Sequence, residues 1–120
     1  MLADTRFAAL FGPGGLAEAP VAATLADGTV VSGTVDRLLV TDGRVLVVDF
    51  KTGSRVPAGV EAVPPYHLRQ MAAYAAALGV IFPGRAVEAA LVYTAGPTLI
   101  ALPTAALAAA KPGFAATEQS

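Results

Sequence analysis

The chain contains no cysteine and only one histidine, His67. Disulfides, thiolate zinc sites and cysteine-held iron-sulfur clusters are therefore excluded within it, and so is a histidine-rich metal site. Charge is sparse: charged residues make up 14% of the chain and leave a net charge of −1. No basic field advertises a nucleic-acid partner, so any DNA contact must be local or supplied by other chains or domains. Long hydrophobic runs are missing as well, since Gly, Pro or charge interrupts every apolar stretch. The N-terminus lacks the basic region, apolar block and cleavage site of a signal peptide. These absences read as a cytoplasmic protein that neither spans a membrane nor is exported. There is no phosphate-binding loop ending in Lys-Ser or Lys-Thr, no Gly-x-Ser-x-Gly elbow and no His-Glu-x-x-His helix, which makes NTP hydrolysis by this chain alone improbable.

What is present is a chain of 120 residues, 55% of them apolar, enough for one domain with a core of its own. Residues 3 to 11 read as a short helix with Asp4 at its N-cap. Three segments follow as a meander, roughly 18 to 25, 29 to 40 and 44 to 50, joined at Asp27-Gly28 and Asp42-Gly43. The stretch from Thr52 to Pro65 is too rich in Gly and Pro for a regular element and reads as a long loop, often a functional feature in small domains. A helix is expected from Tyr66 to about Leu78, with Pro65 in its first turn and Gly79 as its stop. Two further strands, 86 to 94 and 98 to 103, surround Ala95-Gly96-Pro97. The fold class is thus α/β, a central mixed sheet made of an antiparallel meander, a crossover helix and further strands. Residues 104 to 120 read as a partly ordered tail, and no boundary divides the chain.

The chemistry concentrates around Asp42-Gly43. If those two residues form the loop, Thr41 faces Arg44, and stepping outward brings Asp36 opposite Asp49. Opposed residues share a face, and like charges about 5 Å apart at Cβ destabilise a sheet unless something neutralises them. A divalent cation is the obvious candidate. Period-two alternation adds Lys51 to the face of Asp49 and leaves Leu46, Val48 and Phe50 to bury the other. The plainer alternatives are a salt bridge or strand-end charge at Asp36, and Lys51 simply pairing with Asp49.

On the helix, Tyr66, Gln70 and Tyr74 recur every four residues along one stripe. Gln70 has no purpose in a core, whereas tyrosines there are ordinarily packing. His67 lies near the stripe and reads as a surface residue of the first turn. With Asp27-Gly28 as a two-residue loop, Glu18 falls opposite Arg37, on the face away from Asp36, and a Glu18 to Arg37 pair is expected. A bulge near Pro20 would reverse that. Arg37, Arg55 and Arg69 flank the cluster in sequence and are candidates for contacts to DNA phosphates.

An Asp on one strand (Gly33-Thr34-Val35-Asp36-Arg37), Asp-x-Lys on the next (Val48-Asp49-Phe50-Lys51-Thr52-Gly53) and Gln-x-x-x-Tyr on the following helix (Gln70-Met71-Ala72-Ala73-Tyr74) resemble the PD-(D/E)XK nuclease superfamily. Within it the chain looks most like the RecB-type nuclease domain, specifically the C-terminal end of the AddA helicase-nuclease of bacterial double-strand-break repair. Leu10-Phe11-Gly12-Pro13-Gly14 and Glu18-Ala19-Pro20 strengthen that narrower likeness. The resemblance implies a restriction-endonuclease-like fold and a DNA exonuclease. It also implies Mg²⁺ or Mn²⁺ held by Asp36, Asp49 and the carbonyl of Phe50, with Lys51 positioning or activating the attacking water. Gln70 and Tyr74 would orient the lysine and the DNA strand. Single-stranded DNA, a helicase portion of the same polypeptide and a second subunit of AddB type are the implied partners. RecB-type domains carry a further metal ligand, often His, on an upstream helix that this chain does not include. A C-terminal fragment of a larger helicase-nuclease, with reduced or no activity on its own, is therefore expected. The rival reading is a non-catalytic docking or DNA-threading module with a nuclease-like fold.

Overall fold

The computed structural model describes residues 12, 14–53 and 55–110; the helix expected over 3 to 11 lies outside them. Five strands form one sheet in the order β1-β2-β3-β4-β5: β1 Leu16–Thr24, β2 Val30–Val40, β3 Arg44–Lys51, β4 Ala86–Tyr93 and β5 Thr98–Leu102. All neighbours are antiparallel except β3 and β4, which run parallel. That one parallel pair needs a crossover, and helix α1, Pro65–Ile81, supplies it by packing across β1, β2, β3 and β4. A short helix α2, Thr104–Ala109, packs on α1. This is the α/β mixed-sheet architecture expected, of restriction-endonuclease-like type.

Strand β3 sits at the middle of the sheet, and its apolar run explains why. Val45 and Val47 join the core under α1, while Leu46 and Val48 join a second apolar cluster with Ala90 and Val92, packed by Phe50. All four side chains are buried, each contributing on the order of 1.5–3 kcal/mol. The strand that carries Asp49 and Lys51 is thus anchored on both faces.

Helix α1 begins where Pro65 occupies its first turn after an extended Pro64, as the fixed proline φ favours. It buries His67, Gln70, Met71, Tyr74, Ala77 and Leu78, a stripe at three- and four-residue steps. It does not stop at Gly79 as expected but continues to Ile81. The stop comes from Pro83, which disfavours helical geometry at Phe82 (φ −123°, ψ 70°), followed by Gly84 at φ 84°. The preceding loop also holds one 3₁₀ turn, Val60–Ala62, where no regular element was expected.

The two Asp-Gly turns differ. At Asp42-Gly43 the ladder runs from Arg37 opposite Val48 to Val40 opposite Val45, and the Thr41 N–H donates to the Arg44 carbonyl at 2.9 Å, the two-residue loop anticipated. At Asp27-Gly28 the loop has three residues, because Thr24 pairs with Val30 and the Leu25 N–H donates to the Thr29 carbonyl at 2.8 Å. Gly28 takes the left-handed position at φ 91°, as a type I turn closed by a bulge requires. Asp27 Oδ1 accepts the Thr29 N–H at 2.9 Å, which also holds the Asp27 carboxyl below its ordinary range. The extra residue shifts the whole register of β1.

Candidate active site

Where β2 and β3 part, carboxylates take over from the ladder. Asp49 Oδ1 accepts the Asp36 N–H at 3.3 Å, and Asp36 Oδ2 accepts the Phe50 N–H at 2.7 Å. Continuing the register past Arg37 and Val48 places Asp36 opposite Asp49, so each acid's carboxylate grips a backbone N–H of the facing strand. Asp49 is only 7% exposed. Burial, reinforced by Asp36 and opposed by Lys51, pushes its pKa up to about 6.

Lys51 joins them. Its ammonium donates to Gln70 Oε1 at 2.7 Å and to Asp49 Oδ2 at 3.3 Å. The expected helix stripe therefore does bring Gln70, itself 6% exposed, against the lysine. Tyr74 lies deeper. Its hydroxyl is buried with no hydrogen-bond partner among the described residues, and it fits because Gly33 lacks a Cβ, which would overlap that oxygen. Burial, then Asp49 and Asp36, raise the Tyr74 pKa, so the phenol stays neutral beneath the carboxylates.

Asp36, Asp49 and Lys51 open onto a cleft of about 520 Å³ that Glu18, Tyr66, His67, Thr34, Phe50 and Thr52 also line, whereas Gln70 and Tyr74 lie outside its lining. Glu18 is a correction. The register pairs Ala17 with Arg37 and Ala19 with Val35, which puts Glu18 opposite Asp36, at φ 51° and on the cleft. Its cause is the three-residue loop at Ala26-Asp27-Gly28. His67 is a second correction: it is 3% exposed, not a surface residue. Its Nδ1 lies 3.0 Å from the Tyr93 hydroxyl, a partner some 26 residues away in sequence and so beyond reach of a local pattern. Burial, followed by Lys51, lowers the His67 pKa to about 4. Arg37, Arg55 and Arg69 do not line the cleft; Arg69 faces a separate groove between α1 and α2.

Among the described residues no group of three His, Cys, Asp or Glu side chains converges as a metal site. Two interlocked carboxylates remain, hard oxygen donors on a rigid strand pair, and that donor chemistry suits Mg²⁺ or Mn²⁺. No described helix is long and apolar enough to cross a membrane.

The family model of the PD-(D/E)XK nuclease superfamily matches residues 4–118. The chain belongs to that superfamily. Nucleases of the PD-(D/E)XK superfamily typically use divalent metals, in keeping with the donors at Asp36 and Asp49. No curated relative matches the chain.

Proposed function

We propose that this PD-(D/E)XK domain is a Mg²⁺- or Mn²⁺-dependent deoxyribonuclease of RecB type, akin to the C-terminal end of AddA. It would hydrolyse phosphodiester bonds in single strands during double-strand-break repair in the cytoplasm. A helicase portion of the same polypeptide and an AddB-type subunit would deliver the strand, which accounts for a domain with a net charge of only −1. The observation that carries the reading is the interlocked pair Asp36 and Asp49, with Lys51 fixed beside it by Gln70.

In this reading Asp36, Asp49 and the Phe50 carbonyl hold the cation. When bound, the cation supplies charge neutralisation at the phosphoryl oxygen and a lowered pKa for water. The remaining work belongs to the chain's own side chains. Lys51 presents a fixed ammonium to the attacking water or the phosphoryl oxygen, a preorganised donor where negative charge develops. Gln70 keeps that ammonium from folding wholly onto Asp49. Tyr74 forms the neutral floor under the acids, with its ring seated against Gly33. Asp49→Ala is expected to abolish Mg²⁺-dependent cleavage of an end-labelled single strand by the intact enzyme while circular dichroism stays unchanged. Cleavage at the wild-type rate would instead favour a docking or DNA-threading module.

A further inference from the structure

The rim of the cleft carries an aromatic side chain that the proposed hydrolysis does not use. Tyr66 is 57% exposed, while Gln70 and Tyr74, its successors on the same stripe, are buried. An exposed tyrosine alone would be unremarkable; this one is braced. Its ring stands edge-to-face on His67, with centroids 4.3 Å apart and planes at 64°. His67 is held in turn by the Tyr93 hydroxyl, and Tyr93 is fully buried at the end of β4, paired in register with Lys51.

The Tyr93 hydroxyl and His67 Nδ1 share one hydrogen bond at 3.0 Å, its direction set by the imidazole tautomer. With the His67 pKa lowered to about 4 by burial and by Lys51, and that of Tyr93 pushed up to about 12 by burial and by Tyr66, the brace holds one protonation state at neutral pH. Two χ angles and a fixed neighbour leave Tyr66 little entropy to lose on contact. The ring lines the same cleft as Asp36 and Asp49.

We propose that Tyr66, braced by His67 and Tyr93, is a stacking platform for an unpaired nucleobase beside the phosphodiester, and that it makes the site select single strands over duplex. Every base offers a π-face, so the platform is tolerant of sequence; in a duplex those faces are already covered by adjacent base pairs. The inference rests on the nuclease reading for the placement of the phosphodiester, whereas stacking itself can be measured without cleavage.

The chain has no tryptophan, so Tyr66→Trp introduces a lone indole whose emission can be excited selectively over that of the remaining tyrosines. Titration in EDTA with oligothymidylate of about ten nucleotides is expected to quench it saturably, and an abasic strand of the same length is expected to leave it bright. In anisotropy, Tyr66→Ala should weaken oligothymidylate binding by roughly fivefold to a hundredfold, with Tyr66→Phe close to wild type and the abasic strand insensitive to either change. Equal binding of oligothymidylate by Tyr66→Ala, equal quenching by the abasic strand, or no saturable binding by the wild type would overturn the proposal. An intact enzyme that stacks but does not cut in Mg²⁺ would lose the nuclease reading and keep the platform. One that cuts, with the single-strand KM unmoved by Tyr66→Ala, would lose the platform alone.

Discussion

The Lys51 ammonium lies 2.7 Å from Gln70 Oε1 and so ties the end of β3 to the buried stripe of α1. An ammonium beside two carboxylates would otherwise settle on them. At 3.3 Å, its contact with Asp49 is the longer of the two. Lys51→Ala is expected to lower kcat by about a hundredfold to a thousandfold, the usual loss on removing a preorganised donor, while Mn²⁺ affinity changes little. Calorimetry showing the larger effect on metal affinity would take Lys51 out of the chemistry.

Gln70→Ala is expected to act through the same ammonium and to cost less, about tenfold. A double-mutant cycle distinguishes positioning from independent action. If Gln70 works by holding Lys51, the double variant is no slower than Lys51→Ala; additive losses would assign Gln70 a separate role.

His67 is the only histidine, so one imidazole resonance reports its titration directly. It is expected well below the ordinary 6.5, near 4; a value of 6.5 or above would mean that the ring is not buried as described. The sign for stability follows from linkage. Between about 4 and 6.5 the unfolded chain binds a proton here and the folded chain does not, so this residue's contribution is lost as pH falls through that window. Asp49, with its raised pKa, acts in the opposite sense over much of the same range. The comparison must therefore be with His67→Gln, which should lose less stability on acidification than the wild type, by about 1–2 kcal/mol once solvent screening is allowed for.

Gly33 and Tyr74 make a matched pair. Gly33→Ala would drive a methyl group into the Tyr74 hydroxyl and is expected to cost about 1–3 kcal/mol. Tyr74→Phe removes a buried hydroxyl that has no partner among the described residues and should be neutral or stabilising by up to about 1 kcal/mol. Combining the two should recover part of the Gly33→Ala loss in urea unfolding. Strict additivity would contradict the contact.

How far the sequence reaches is clearest at its two Asp-Gly turns. At Asp42-Gly43 the dipeptide fills a two-residue loop, and the register read from it is that of the observed ladder, beyond whose end Asp49 Oδ1 accepts the Asp36 N–H. The same dipeptide at Asp27-Gly28 sits in a three-residue loop. That one residue moved Glu18 from Arg37 to Asp36, because local chemistry permits both loop lengths and only the pairing of whole strands chooses between them. Helix α1 was legible from its periodicity, but its end was not: Gly79 has the composition of a stop, and Pro83 does the stopping. His67 is buried against Tyr93, 26 residues on at the end of β4, and no local pattern encodes such a partner. Gln70 was legible because an amide on a buried stripe needs a polar partner, which Lys51 provides.

The central claim is that Asp36 and Asp49 form a cation site, and Mn²⁺ titration by calorimetry at pH 7.5 on the wild type and on Asp49→Asn tests it most directly. The account predicts saturable binding by the wild type that is lost in the variant. Because Asp49 must be ionised to bind, the wild-type affinity should also weaken by about tenfold per pH unit below about 6. Binding of Mn²⁺ by Asp49→Asn with wild-type affinity, or none by the wild type, would contradict it.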